Sequence, residues 1–225
     1  MAQPIPTIFI PALLCDEAMY RDVIAGSGAR IEASVLLSPK PRLESSVADI
    51  LARAPATFAL VGTSYGGHLA MAVALAAPER VRALWLMGCR PEAQASGGPD
   101  LAGGLDATPD AVIDMLAGLV VHKDALEERA VFKEMAHRVG GAAGSAQARA
   151  LLARADVSGR LGELRMPTLV LWGEEDALVP VAVGRALAEA LPDARFEALA
   201  GCGHLPTLEM PVAAGAAFAR LLSQL

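Results

Sequence analysis

Short runs of four to six almost wholly apolar residues alternate along this chain with longer Ala- and Leu-rich segments, the pattern of strand–helix units around a parallel sheet. The short runs predict strands at Thr7–Ile10, Ser34–Leu37, Phe58–Val61, Ala83–Met87, Thr168–Trp172 and Arg195–Ala198. They are apolar throughout rather than at every second position, as strands covered on both faces require. Between them, Leu43–Arg53 sets Val47, Ile50, Leu51 and Ala54 on one side, whereas Leu69–Ala77 is apolar nearly all round and predicts a buried central helix that Pro78 stops. Val183–Leu191 and Val212–Leu222 predict two further amphipathic helices, with Pro180 and Pro211 before their starts.

About 80 residues separate Met87 from Thr168, with helical periodicity and no convincing strand, far more than an ordinary loop. The segment opens in a Gly/Pro-rich linker, Pro91 to Pro109, and continues in helical patterns near Pro109–Val120, Lys123–Arg138 and Ser145–Ala155, with Gly140 to Gly144 as a flexible joint. The expected organisation is an α/β core formed by residues 1–90 and 156–225, with about six mainly parallel strands, helices on both faces and a small helical cap at 91–155. The chain holds no internal repeat.

Composition narrows the function. At 225 residues, 54% hydrophobic and 20% charged, the chain fits one globular domain with a large core. Its formal charge of −6 argues against nucleic acid or an anionic membrane as partner, since both need a basic surface. No signal-peptide pattern opens the chain, no apolar run approaches the ~18 residues of a membrane span, and Cys15, Cys89 and Cys202 lack CxxC or zinc-ligand spacing. The expectation is a cytoplasmic protein without metal or cofactor, acting on a small molecule.

The chemistry centres on Gly62-Thr63-Ser64-Tyr65-Gly66-Gly67, which lies directly between a predicted strand and the central helix. A serine in so short a connection sits in a strained turn whose neighbours two positions away must be small. Ser64 is therefore a candidate nucleophile, and the Tyr65 amide at the helix start a candidate oxyanion donor. A serine hydroxyl needs a base, and the base needs an orienting acid. His204 follows the last predicted strand within Gly201-Cys202-Gly203-His204; His68 competes, although its helical position should turn it away from the hydroxyl. Among the carboxylates after the Thr168–Trp172 strand, Asp176 is preferred, Glu175 is the runner-up, and Glu174 reads as a solvated charge. Cys15 and Cys202 flank these loops without a basic partner and read as small buried hydrophobes, and Trp85 and Trp172 as core.

Pro11-Ala12-Leu13-Leu14-Cys15-Asp16, Gly62 to Gly67, Pro167 to Pro180, and Gly203-His204 followed by Leu208-Glu209-Met210-Pro211 together resemble the α/β-hydrolase fold family of serine hydrolases and carboxylesterases. The resemblance spans nearly the whole chain and fails only in the cap. It implies Ser64 as nucleophile, His204 as base, Asp176 as acid, and the amides of Leu13 and Tyr65 as the oxyanion hole. Ala12 stands where the family usually has glycine, which leaves Leu14 as an alternative donor. Family members usually begin with two further strands, so a reduced six-stranded sheet is expected here.

The implied activity is hydrolysis of a small carboxylic ester. Cleavage of a C–C bond, lactone or thioester by the same triad is the alternative, and a catalytically quiet ligand-binding receptor is the alternative of another class; a haloalkane dehalogenase would need a carboxylate at the nucleophile position. Leu14, Met115, Leu119, Val120 and His122 are expected to line a mainly apolar pocket. Arg90 and Lys123 are candidate contacts for an acidic substrate, with ordinary exposed charge as the competing reading.

Overall fold

The computed structural model describes residues 3–94 and 97–225; Met1 and Ala2, and Ala95 and Ser96 of the predicted linker, lie outside them. In chain order the elements are β1 (Ile5–Ile10), α1 (Arg21–Ser27), β2 (Ile31–Val35), α2 (Leu43–Arg53), β3 (Phe58–Thr63), α3 (Tyr65–Ala76) and β4 (Val81–Met87). There follow α4 (Leu101–Ala107), α5 (Pro109–Val120), α6 (Leu126–Val139), α7 (Gly141–Leu152), β5 (Thr168–Gly173), α8 (Val181–Ala190), β6 (Ala194–Leu199), α9 (Pro206–Glu209) and α10 (Pro211–Leu222).

The six strands form one parallel sheet in the order β2-β1-β3-β4-β5-β6. The chain steps outward from β1 to β2, then returns across β1 to build the rest, so the order reverses between β1 and β3. Ile10 pairs with Gly62 at that point, which sets the loop after β1 beside the turn after β3. Crevices at the carboxyl ends of parallel strands, where the order reverses, are where open α/β sheets place their ligands.

Successive residues of the central strands feed opposite cores, which explains their unbroken apolar character. Phe9, Val61, Trp85, Leu169 and Leu171 join one cluster with α1 and α10, where Trp85 stacks on Phe218 with ring centroids 4.7 Å apart. Ile8, Ile10, Leu60, Leu84, Leu86, Val170 and Trp172 join the other with α2, α3 and α8. Burying Phe218 or either tryptophan alone contributes on the order of 2–3 kcal/mol. Side chains of α4, α5 and α6, among them Leu105, Ile113 and Phe132, belong to the first cluster, so these helices are packed into the core.

Three predicted elements move. β2 occupies Ile31–Val35 instead of Ser34–Leu37: as an edge strand it alternates exposed positions, Glu32 and Ser34, with covered or half-covered ones, and its pairing starts at Ile5–Ile31, upstream of the apolar run. Helix α4 lies inside the predicted linker, its start capped by Asp100, whose Oδ1 accepts the Gly103 amide at 2.9 Å; Gly103 and Gly104 weaken its helical signal. The predicted joint at 140–144 contracts to Gly140, with φ +82°, because α7 begins at Gly141. Gly144 lies inside that helix against the Leu14 and Leu105 side chains, so its missing Cβ provides close approach and not flexibility.

Candidate active site

Ser64 stands between β3 and α3 with φ +54° and ψ −117°, a conformation that costs a residue with a Cβ about 1–3 kcal/mol. The surroundings fix it. Its amide donates to the Met87 carbonyl at 2.8 Å, tying the turn to the end of β4, and its carbonyl accepts the His68 amide at 3.0 Å. A Cβ on Gly66 would overlap the carbonyls of Ile10 and Pro11, so glycine there lets the loop after β1 close against the turn.

His204 and Asp176 come together at the ends of β6 and β5. The imidazole Nδ1 lies 2.7 Å from Asp176 Oδ2, and both residues are buried, at 2% and 7% exposure. Asp176 Oδ1 accepts the amides of Leu178 and Val179, each at 2.9 Å, so both carboxylate oxygens are engaged and its rotamer is set. An ionised carboxylate only accepts, which places the proton on Nδ1 and leaves Nε2 as the acceptor. That Nε2 is buried without a partner among the described residues. The ring rests on Gly88, just after β4, where a Cβ would fall 2.6 Å from the imidazole Cε1 and where φ is +58°. Met87 and Gly88 thus connect the two halves: one holds the Ser64 amide, the other seats His204.

The remaining candidates take other positions. Glu175 Oε2 accepts the amides of Gly201 and Cys202 at 2.9 and 3.1 Å, so it braces the loop that carries His204 and does not touch the ring. Glu174 is exposed. Leu14, with φ +61°, donates its amide to Gln147 Oε1 at 3.0 Å and is thereby occupied, whereas the Leu13 and Tyr65 amides have no partner among the described residues. The cysteines are fully buried, and burial raises each thiol, that of Cys89 to about 12, which keeps them unreactive.

His68 makes no hydrogen bond to the Ser64 hydroxyl among the described residues; it bonds the backbone of that residue instead. Its Nδ1 donates to the Ser64 carbonyl at 2.8 Å and its ring lines the same cavity as Ser64. Burial first, then the charge of Arg154, lowers its pKa to about 3, so it is neutral at ordinary pH.

That cavity, of about 770 Å³, is lined by Ser64, His68, Gly88, Arg90, Arg154 and Leu161, and Leu178, Val179, Val183 and Leu187 are among its apolar lining residues. None of the five expected pocket residues lines it. Leu14 is buried beneath α4 and α7; Met115 and Leu119 are 43% and 41% exposed, on the face of α5 opposite its buried Ile113, Leu116 and Val120. Val120 instead accepts the His204 amide at 3.2 Å, and the His122 amide donates to Glu209. Periodicity located the helix α5, and the structure shows which of its faces is buried. Lys123 is also absent from the wall, whereas Arg90 belongs to it.

Sequence reasoning missed the part played by Glu209. Its Oε2 accepts the amides of Gly203 and His122 at 2.8 and 2.9 Å, and its Oε1 accepts that of Leu205 at 2.9 Å. The available signal was a carboxylate five residues after His204, between prolines.

Comparison with known proteins identifies the family and the fold. The model of the alpha/beta hydrolase family matches residues 21–218. A 2-hydroxy-6-oxononadienedioate/2-hydroxy-6-oxononatrienedioate hydrolase of Cupriavidus pinatubonensis is 34% identical over 167 residues, covering 64% of this chain and 55% of that protein. The chain thus spans about half the length of such curated relatives. A pimeloyl-[acyl-carrier protein] methyl ester esterase of Chromobacterium violaceum is 30% identical over 183 residues, covering 75% of this chain and 72% of that protein. The enol-lactonase from Burkholderia xenovorans LB400 superposes with a TM-score of 0.87 at 20% identity, over 99% of this chain and 92% of that one, a likeness of fold.

Proposed function

The chain belongs to the alpha/beta hydrolase family, and from that premise we propose that it hydrolyses a small carboxylic ester through Ser64, His204 and Asp176. The observation that carries this reading is the buried 2.7 Å contact between His204 Nδ1 and Asp176 Oδ2, with Nε2 left without a partner and Ser64 fixed to the adjoining end of β4.

In the first half-reaction His204 Nε2 takes the Ser64 hydroxyl proton as Oγ bonds to the ester carbonyl carbon. The amides of Leu13 and Tyr65 stabilise the tetrahedral oxyanion, and Asp176 stabilises the imidazolium. Collapse breaks the bond to the alcohol oxygen, which leaves with the proton from Nε2. Water then gives a proton to Nε2 and its oxygen to the acyl carbon; breakdown returns that proton to Ser64 Oγ and releases the acid. Residues 91–155 act in this reading as a cap whose linker supplies part of the pocket wall.

The test is an active-site-directed fluorophosphonate together with activated esters of increasing acyl length. We expect an adduct on Ser64, and at least about a thousandfold loss of ester turnover in Ser64→Ala. No adduct on a folded protein would overturn the serine-hydrolase reading and favour a ligand-binding receptor. Cleavage of a C–C bond is the second reading, supported by the name of the Cupriavidus relative. It prevails if a vinylogous diketone acid is cleaved with a higher kcat/KM than every ester.

A further inference from the structure

Among the described residues, the lining of the cavity at Ser64 includes two arginines, Arg90 and Arg154, and neither is paired with a carboxylate. Arg154, two residues beyond the end of α7, is only 6% exposed. Its hydrogen bonds go to neutral oxygens: Nε to the Glu92 carbonyl at 3.1 Å, and Nη1 to Gln94 Oε1 and the Leu151 carbonyl, each at 2.8 Å. Arg90, two residues after the glycine that seats His204, makes no ion pair or side-chain hydrogen bond among the described residues and lines the same cavity. The other arginine nearby, Arg160, is already paired with Glu163. Among the described residues that line the cavity, Glu92 is the carboxylate, and it is exposed.

Burying a cation without a counterion is costly, and placing a second cation beside it adds repulsion. Desolvation, then the neighbouring Arg90, holds the Arg154 guanidinium below its usual pKa, and both arginines help to keep His68 neutral. In a chain of formal charge −6 this is a local reversal of sign, and it lies beside the serine. An anion entering the cavity would relieve both penalties. The lining that α8 and the loop before it contribute is apolar: Leu178, Val179, Val183 and Leu187.

We propose that the substrate is an acidic ester, a half-ester of a short dicarboxylic acid, whose free carboxylate is held by Arg90 and Arg154 while its methylene chain lies along the apolar wall and its ester carbonyl meets Ser64. The inference rests on the serine-hydrolase reading above. Arginine is suited to the task because its fork binds a carboxylate in two-point fashion.

The test separates the two readings by using labelling as well as turnover. Adipate is expected to protect Ser64 from the fluorophosphonate, and monomethyl adipate to exceed methyl hexanoate in kcat/KM by about tenfold or more. Arg90→Gln, which removes no structural hydrogen bond, is expected to lower that ratio about tenfold, and Arg90→Glu to reverse it. Protection by inorganic phosphate equal to that by adipate would replace the carboxylate with a phosphate-bearing substrate and overturn the proposal. If Ser64 is labelled but adipate does not protect and the half-ester is not preferred, the acidic-substrate inference fails while the hydrolase reading stands. If Ser64 is not labelled, the hydrolase reading fails first.

Discussion

Glu209 accepts the amide of Gly203 at 2.8 Å, one residue before His204, and with its other oxygen accepts the amide one residue after it. The imidazole is thereby positioned through the backbone by a carboxylate whose hydrogen bonds, among the described residues, all go to amides and none to the ring. Glu209→Ala leaves three amides without their acceptor, and each such loss costs about 1–3 kcal/mol. The expected outcome is a fall in kcat of roughly ten- to hundredfold with KM little changed, and partial recovery in Glu209→Gln, which keeps one carbonyl oxygen. A drop in melting temperature with unchanged kcat in the folded fraction would show a merely structural role.

The backbone at Ser64, with φ +54°, gives a stability test that does not depend on catalysis. Ser64→Gly and Ser64→Ala both lack the hydroxyl and differ in the Cβ that the turn strains. The glycine variant is expected to be the more stable by about 1 kcal/mol, the balance of relieved strain and added chain entropy. Denaturant melts of the two variants measure this directly; equal midpoints would remove the strain argument.

Gly66→Ala is expected to destabilise by about 3 kcal/mol or more, because the added methyl meets the carbonyls of Ile10 and Pro11, backbone atoms that cannot swing aside. Gly118→Ala, on the exposed face of α5 where nothing lies within 4 Å, is the control and is expected to stabilise by about 0.5–1 kcal/mol. Parallel thermal melts of the pair check the prediction, which fails if both shift alike.

His68 predicts a pH dependence with a definite sign. Its folded pKa of about 3 lies below the ordinary 6.5, so between these values the unfolded chain binds a proton that the folded protein excludes. Its contribution to stability is full above pH 6.5 and is lost progressively as the pH falls toward 3. Relative to His68→Gln, the wild type should therefore lose stability on acidification through this window, and the difference should be flat above it. Arg154, Arg90 and His204 all lower this pKa and the Ser64 carbonyl raises it, so a parallel pair of curves would mean that the imidazole charges in the folded state.

Most of the sheet was legible because burial on both faces writes itself into consecutive apolar residues: β3 and β5 have no exposed position to interrupt the signal. β2 was displaced because, as an edge strand, it alternates and so looks like neither a buried run nor a loop. α4 was hidden by two glycines whose cost the Asp100 cap and burial of Ala102 and Leu105 offset. The pocket was misread because exposure on α5 depends on which neighbour covers each side, and the covering elements are distant in sequence.

The sequence by itself determined the α/β alternation and the candidates Ser64, Asp176 and His204, since a small-residue turn between strand and helix, and polar residues at strand ends, are local necessities of spacing. Only the tertiary structure decided which side chains share the cavity. Arg90 and Arg154 are 64 positions apart in sequence, and Glu209 reaches His122 across 87. Such meetings depend on how the layers pack, and no periodicity within a single segment encodes them.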